Sequence, residues 1–316
     1  MGTPHQTTLV DPRPTAPVTS LQSYPPRTLW SDAWRRFCRH RLALVGTIVM
    51  SALTLATLLG PVLYSVPIDD IDFASKLEGP SLAHPFGTDD LGQDLLARVL
   101  YGGRISMAVG LAAMLIAIGL GMVIGALAGF FGGIFDSVLM RLTDLFLSLP
   151  QLPLLLLVVF LFRDRMRQAF GPELGIFVLI VAVIGGLRWM QPARLVRASF
   201  LALKEEEFVE AARCVGVPSL GLILRHILPN ALSPVIVAAT LGVGSAILAE
   251  SSISFLGLGF PPDMPTWGRL LSDARDYLDL APHWALFPGL LIFLAVISIN
   301  YIGDGLRDAL DPRKTL

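Results

Sequence analysis

The sequence predicts an all-α integral membrane protein with six transmembrane helices and both termini in the cytoplasm. Its 316 residues are 53% hydrophobic and only 16% charged, with a mean hydropathy of +0.65; soluble domains carry about a quarter charged residues. Long uncharged runs recur, and about 20 residues of helix cross ~30 Å of hydrocarbon. Lys and Arg are unequally shared between alternate connections, which sets orientation. The net charge of −1 offers no bulk attraction for nucleic acid, and two cysteines, Cys38 and Cys214, are too few for a disulfide framework.

In chain order, residues 1–29 read as a disordered cytoplasmic tail, proline-rich and without an apolar signal-like core. Residues 30–41 alternate aromatic and basic side chains and read as a juxtamembrane interfacial helix. Its arginines are topology signals rather than a nucleic-acid patch. The transmembrane domain occupies 42–316. Its spans are expected at 42–66, 105–135, 145–162, 174 to about 190, 227–249 and 284–303. Pro150 and Pro153 are expected to kink the start of the third. The fourth is short and reaches full length only if Arg188 snorkels.

With the N terminus inside, 16 of the 24 Lys and Arg residues fall in cytoplasmic segments. The dissenting loop carries Arg163, Arg165 and Arg167 outside. This places the chain in the cytoplasmic (inner) membrane as a multi-pass protein.

Conventional catalysis is not expected, and no catalytic or metal-binding residue is assigned. None of Lys76, Lys204 and Lys314 follows a glycine, so the chain has no P-loop lysine for a nucleotide. The five histidines are scattered without zinc-ligand spacing, and no GxSxG elbow occurs.

Ala113, Ala117, Gly121, Gly125 and Gly129 recur every fourth residue in the second span. In lipid such a stripe lets helix backbones approach closely, here against this chain or a partner. The connection at about 191–229 is long and polar for a helical bundle. Glu205, Glu206 and Glu207 suit the positive end of a helix dipole. Gly216 reads as a left-handed cap, and Pro218 prevents immediate resumption. A second amphipathic stretch leads through Leu228 and Pro229 into the fifth span. The pattern describes a short exposed helix clamped between membrane helices, fit to enter a groove on another protein.

Glu210-Ala211-Ala212, then Gly216, then His226-Ile227-Leu228-Pro229 resembles the EAA loop of ABC-importer permeases. His226 in the stretch RHILPNALSP is similar to the dipeptide, oligopeptide and nickel importer group, as are HPFGTDDLGQDLLARVLYGGRIS at 84–106, ILAESSISFLGLG at 247–259 and GDGLRDALDP at 303–312. Together these blocks resemble the C-type permease subunit, although Gln93 stands where that group commonly has arginine. The resemblance implies a type I ABC-importer permease fold. It implies a B-type permease partner, two ABC ATPase subunits that hold ATP and Mg, and an extracytoplasmic substrate-binding protein. The cargo it implies is peptides, nickel complexes or other small solutes. It makes Glu207, Glu210, Ala211, Ala212, Gly216, Leu228 and Pro229 the ATPase-coupling residues. An ion-coupled secondary transporter is the alternative, with Glu250 as its proton site; the internal repeats common in that class are not evident.

Glu250 is the one acid well inside a span. With Ser251 and Ser254 it either lines the path or forms an interhelical hydrogen bond, and Asn300 has the same two readings. Arg141 and Asp144 are spaced to pair on one helical face. The acidic outer loop at 67–104 either receives the binding protein or is simply solvated, with Gly87 and Gly92 shaping a tight turn around His84, Asp89 and Asp90.

Overall fold

A computed structural model describes residues 29–310, so the predicted tail lies outside the described residues except for Leu29, which opens the first helix instead. The chain begins with α1 (Leu29–Phe37), a turn, and α2 (Arg41–Leu63). Arg41, assigned above to the juxtamembrane helix, opens the first span instead. His40 caps α2, with the Ala43 N–H donating to its Nδ1 at 3.1 Å. Helix α3 (Leu95–Phe131) starts ten residues before the uncharged run because the Asp94 carboxylate accepts from the Ala97 N–H at 2.8 Å. It stops before the run does, at Gly132 and Gly133, where φ is +66° and +57°.

The third expected span is a broken pair. Helix α4 (Gly133–Ser148) and α5 (Gln151–Phe170) meet at 89°, with Pro150 extended at the break. Arg163, Arg165 and Arg167 lie on the last turns of α5, not in a loop. The fourth span breaks too: α6 (Pro172–Gly186) and α7 (Met190–Leu203) meet at 43°. Arg188 sits in that break and donates through Nη1 to Ser245 Oγ at 2.6 Å, which corrects the snorkelling expectation. Helix α8 (Glu207–Cys214) follows, and then α9 (Ser219–Gly221) runs through a π-wound stretch (Leu222–Ile227) into α10 (Leu228–Phe255). Helix α11 (Trp267–Ala274) and α12 (Pro282–Leu310) complete the chain. Among the described residues, four helical stretches are long and apolar enough to span a bilayer alone, and six when each bent pair counts as one.

The α3–α7 contact is the bundle's most intimate. The stripe on α3 meets α7 of the same chain: a Cβ added at Gly121 would fall 2.5 Å from Pro192 Cβ, and one at Gly129 2.6 Å from Phe200 Cβ. Small residues thus let the two backbones touch, as van der Waals packing in lipid requires. Much of the long 191–229 connection is therefore helix packed into the bundle. At one end of the bundle lie α1, α8 and the end of α12, where Phe37, Ala43 and Ala309 share a buried cluster. At the other lie the 64–94 loop and α11, whose Trp267 is fully buried against the start of α3.

Candidate functional site

Helix α8 is built to be held firmly and to present one face. Glu206 adopts the extended N-cap conformation, and Glu207 and Glu210 occupy the first turn, where the helix dipole favours acids. Val209 is fully buried in a cluster with Phe200, Leu222, Ile223 and Ile227. The helix ends in a Schellman motif. Gly216 takes φ +85°, its N–H bonds the Arg213 carbonyl at 3.0 Å, and the Val217 N–H bonds the Ala212 carbonyl at 3.1 Å. Pro229 has no N–H to return to the turn before it. That turn is π-wound, with the Leu228 N–H reaching the Ile223 carbonyl.

The outward face combines charge and apolar area. Glu206, Glu207, Glu210 and Ala211 are exposed. Val215 is 85% exposed, Leu220 67% and Phe208 42%. Among the described residues Glu207 and Glu210 make no ion pair or side-chain hydrogen bond. Ala212 and Leu228 are half-buried, and Gly216 and Pro229 exposed.

Beneath α8, two ion pairs tie α7 to α4. The Arg197 guanidinium grips both Asp136 oxygens, Nη2 to Oδ2 at 2.6 Å, and Arg194 pairs with Asp144. The expected Arg141–Asp144 pair is not formed; the partner of Asp144 comes from another helix. The sequence signal for these ties was weak, because 50 or more residues separate the partners. Another missed contact had a local clue. Pro61 frees the carbonyl of Thr57 four residues earlier, and Arg104 donates to it through Nε at 2.7 Å.

Glu250 is fully buried. It accepts from Ser106 Oγ of α3 at 3.0 Å and from Ser254 Oγ at 2.8 Å, with Ser251 Oγ at 3.5 Å. Ser106 Oγ in turn accepts from the Trp267 N–H at 3.3 Å. These side chains occupy a closed contact between α3, α10 and α11, whereas Asn300 stands exposed on α12. At the same end, Asp94 Oδ2 accepts from Tyr64 at 2.8 Å and lies 2.9 Å from His84 Nδ1. Burial, with Asp94 alongside, pushes the Tyr64 phenol up to about 12. Burial also raises the Asp89 carboxyl, against the pull of Arg98 at 3.6 Å and the N–H groups of Gln93 and Leu91. Gln93 accepts from the Arg98 guanidinium. Gly87 and Gly92 take φ of +79° and +77°, which forms the expected tight turn. Among the described residues no three His, Cys, Asp or Glu side chains are grouped to hold a metal ion.

A multi-pass bundle with two broken helix pairs and an exposed, clamped helix at one end is the architecture of a transporter's membrane subunit. The fold resembles a chain of the inward-facing MetNI methionine ABC transporter, with a TM-score of 0.51 at 18% identity over 69% of this chain and 96% of that one. The chain belongs to the family described as binding-protein-dependent transport system inner membrane component, whose model matches residues 121–316. Residues 28–83 match the N-terminal TM domain of oligopeptide transport permease C. The dipeptide transport system permease protein DppC of Alkalihalophilus pseudofirmus is 39% identical over 99% of both chains. The oligopeptide transport system permease protein OppC of Escherichia coli is 43% identical over 91% of this chain and 92% of its own. The glutathione transport system permease protein GsiD of Pectobacterium atrosepticum is 38% identical over 91% and 92%.

Proposed function

We propose that the chain is the C-type permease subunit of a heteromeric ABC importer that carries peptides across the cytoplasmic membrane. Its cargo class follows the dipeptide, oligopeptide and glutathione systems named for its relatives. A B-type permease completes the path, an extracytoplasmic binding protein delivers the peptide, and two ATPase subunits hold ATP and Mg. Both termini and α8 face the cytoplasm on this reading, and α1 lies along the membrane interface.

The observation that carries the reading is α8 itself: rigidly seated through Val209, yet presenting Phe208, Val215 and Leu220 beside unpaired Glu207 and Glu210. Closure of the ATPases on ATP pushes this helix. Packed interiors transmit displacement rather than absorb it. The push therefore passes through Phe200 and the tight α3–α7 contact into the spans, and turns the path outward. Asn300 faces the path or the second permease, while Glu250, Ser251 and Ser254 hold α10 against α3. Copurification of the ATPase subunits with this chain, and ATP-dependent peptide uptake by vesicles holding the complete complex, test the reading. Uptake driven by an ion gradient without ATP contradicts it.

A further inference from the structure

The two helix breaks, α4–α5 and α6–α7, meet on an open face of the bundle, where Gln151 is exposed and Arg188 half-buried. Gln151, the first residue of α5, donates through Nε2 to the Leu187 carbonyl of the other break at 3.3 Å. Beside them opens a cavity of about 350 Å³, lined by Gln151, Arg188, Gln191 and Ser245 together with methionine, leucine and other apolar groups from α3, α7 and α10. Non-helical backbone at membrane depth is tolerated where protein or a water-filled cavity satisfies it. Ser245 lies about 25 Å along α10 from Leu228, at ~1.5 Å per residue, and so well inside the span.

Arg188 is the unusual member. Its Nη1 bonds Ser245 Oγ at 2.6 Å, while its Nε is enclosed without a partner. None of the ion pairs among the described residues includes it, and the cavity lining contains no acid. A charge at this depth is costly and marks a functional site by default. The lining offers a guanidinium fork and two amides with no carboxylate to neutralise them, which selects an anion. An arginine fork matches a carboxylate in two-point geometry. The volume falls in the range of small-ligand sites. Flexible Met114 and Met190 accept side chains of varied shape.

The geometry points to this cavity as a subsite on the path in which Arg188 receives the terminal carboxylate of the peptide in transit. The inference rests on the peptide-import reading above. It is tested in vesicles holding the complete importer, with trialanine and its C-terminal amide as cargo. Rates are normalised to the measured occupancy of the binding protein by each peptide. The wild type is expected to move the free acid about tenfold faster than the amide, the worth of one charge-assisted pair. Arg188→Gln brings the acid down to the rate of the amide and leaves the amide unchanged, while Arg188→Lys keeps most of the preference. Equal loss for both peptides in Arg188→Gln overturns the subsite and makes Arg188 a packing or inter-subunit residue. An undiminished preference for the acid overturns it as well. Failure of the wild type to move either peptide with ATP defeats the import reading itself, and the subsite with it.

Discussion

The buried acids at one end of the bundle and the exposed acids of α8 at the other are treated in opposite ways. At the α11 end the buried acids are consumed internally, while Asp69, Asp70 and Glu78 of the outer loop stay exposed. Asp94 alone serves the Ala97 N–H, Tyr64 and His84, Asp89 faces Arg98, and Glu250 is closed in among serines. At the α8 end, Glu207 and Glu210 are left without partners beside exposed Phe208 and Val215, although the helix that bears them is firmly anchored by Val209. Internal satisfaction builds stability and fixes a shape. In the proposed scheme, the free charge and free apolar area on this rigid helix form the face that meets an ATPase subunit. Substitutions at the two ends should therefore fail in different ways.

The largest contrast is expected from Glu210→Lys. Reversing a charge on the proposed docking face should cut ATP-driven uptake more than about tenfold, because like charges brought together across an interface cost several kcal/mol. The thermal stability of the inserted protein should be unchanged. Gly216→Val should act similarly and add about 1–3 kcal/mol of strain, since a β-branched residue must adopt φ +85°. Normal uptake by both variants, correctly inserted, would remove α8 from the coupling scheme.

Asp94→Ala should show the reverse pattern. It strips a helix cap and two side-chain contacts, so stability should fall by roughly 1–3 kcal/mol, read as a lower denaturation temperature in detergent. ATPase subunits should still copurify. A smaller step separates two Glu250 variants. Glu250→Gln keeps one acceptor oxygen and replaces the other with an N–H donor from which a turned serine hydroxyl accepts, and should stay near wild-type stability. Glu250→Ala strands the Ser106 and Ser254 hydroxyls and should lose about 1–3 kcal/mol. Equal stability of the two would mean that the hydrogen bonds contribute nothing.

The smallest effect belongs to Asp72 in the outer loop. The Ala74 N–H and the Ser75 hydroxyl hold its carboxyl below the ordinary value. The stability it contributes is present above the ordinary carboxylate range and lost as pH falls through the lowered folded value. Thermal stability of wild type and Asp72→Asn should differ slightly at neutral pH and converge in acid.

What the sequence made legible follows from which interactions are local. The six spans, counting each bent pair as one, the tight turn of Gly87 and Gly92, the Gly216 cap and the small-residue stripe are set by composition or short spacing, and each is found among the described residues. The breaks were harder. Pro150 signalled a kink, but a near right angle depends on how α5 packs against α6. Arg188 looked like a snorkelling end residue because its partner, Ser245, is 57 positions away. The same distance effect hid Asp136–Arg197 and Asp144–Arg194, and led Asp144 to be matched with its sequence neighbour Arg141. Helix α7 was read as part of a polar loop because its two arginines, Arg194 and Arg197, masked the apolar face that Ala193, Val196 and Phe200 bury against α3.

The α8 helix carries its own probe. Cys214 is its last residue, exposed and free, and Cys38 is the other free thiol among the described residues. In the complete complex with Cys38→Ser, a short thiol-directed crosslinker at Cys214 should capture an ATPase subunit, with a yield that changes when ATP binds. Capture of no ATPase, together with labelling of Cys214 by an impermeant reagent added outside intact cells, would contradict the account.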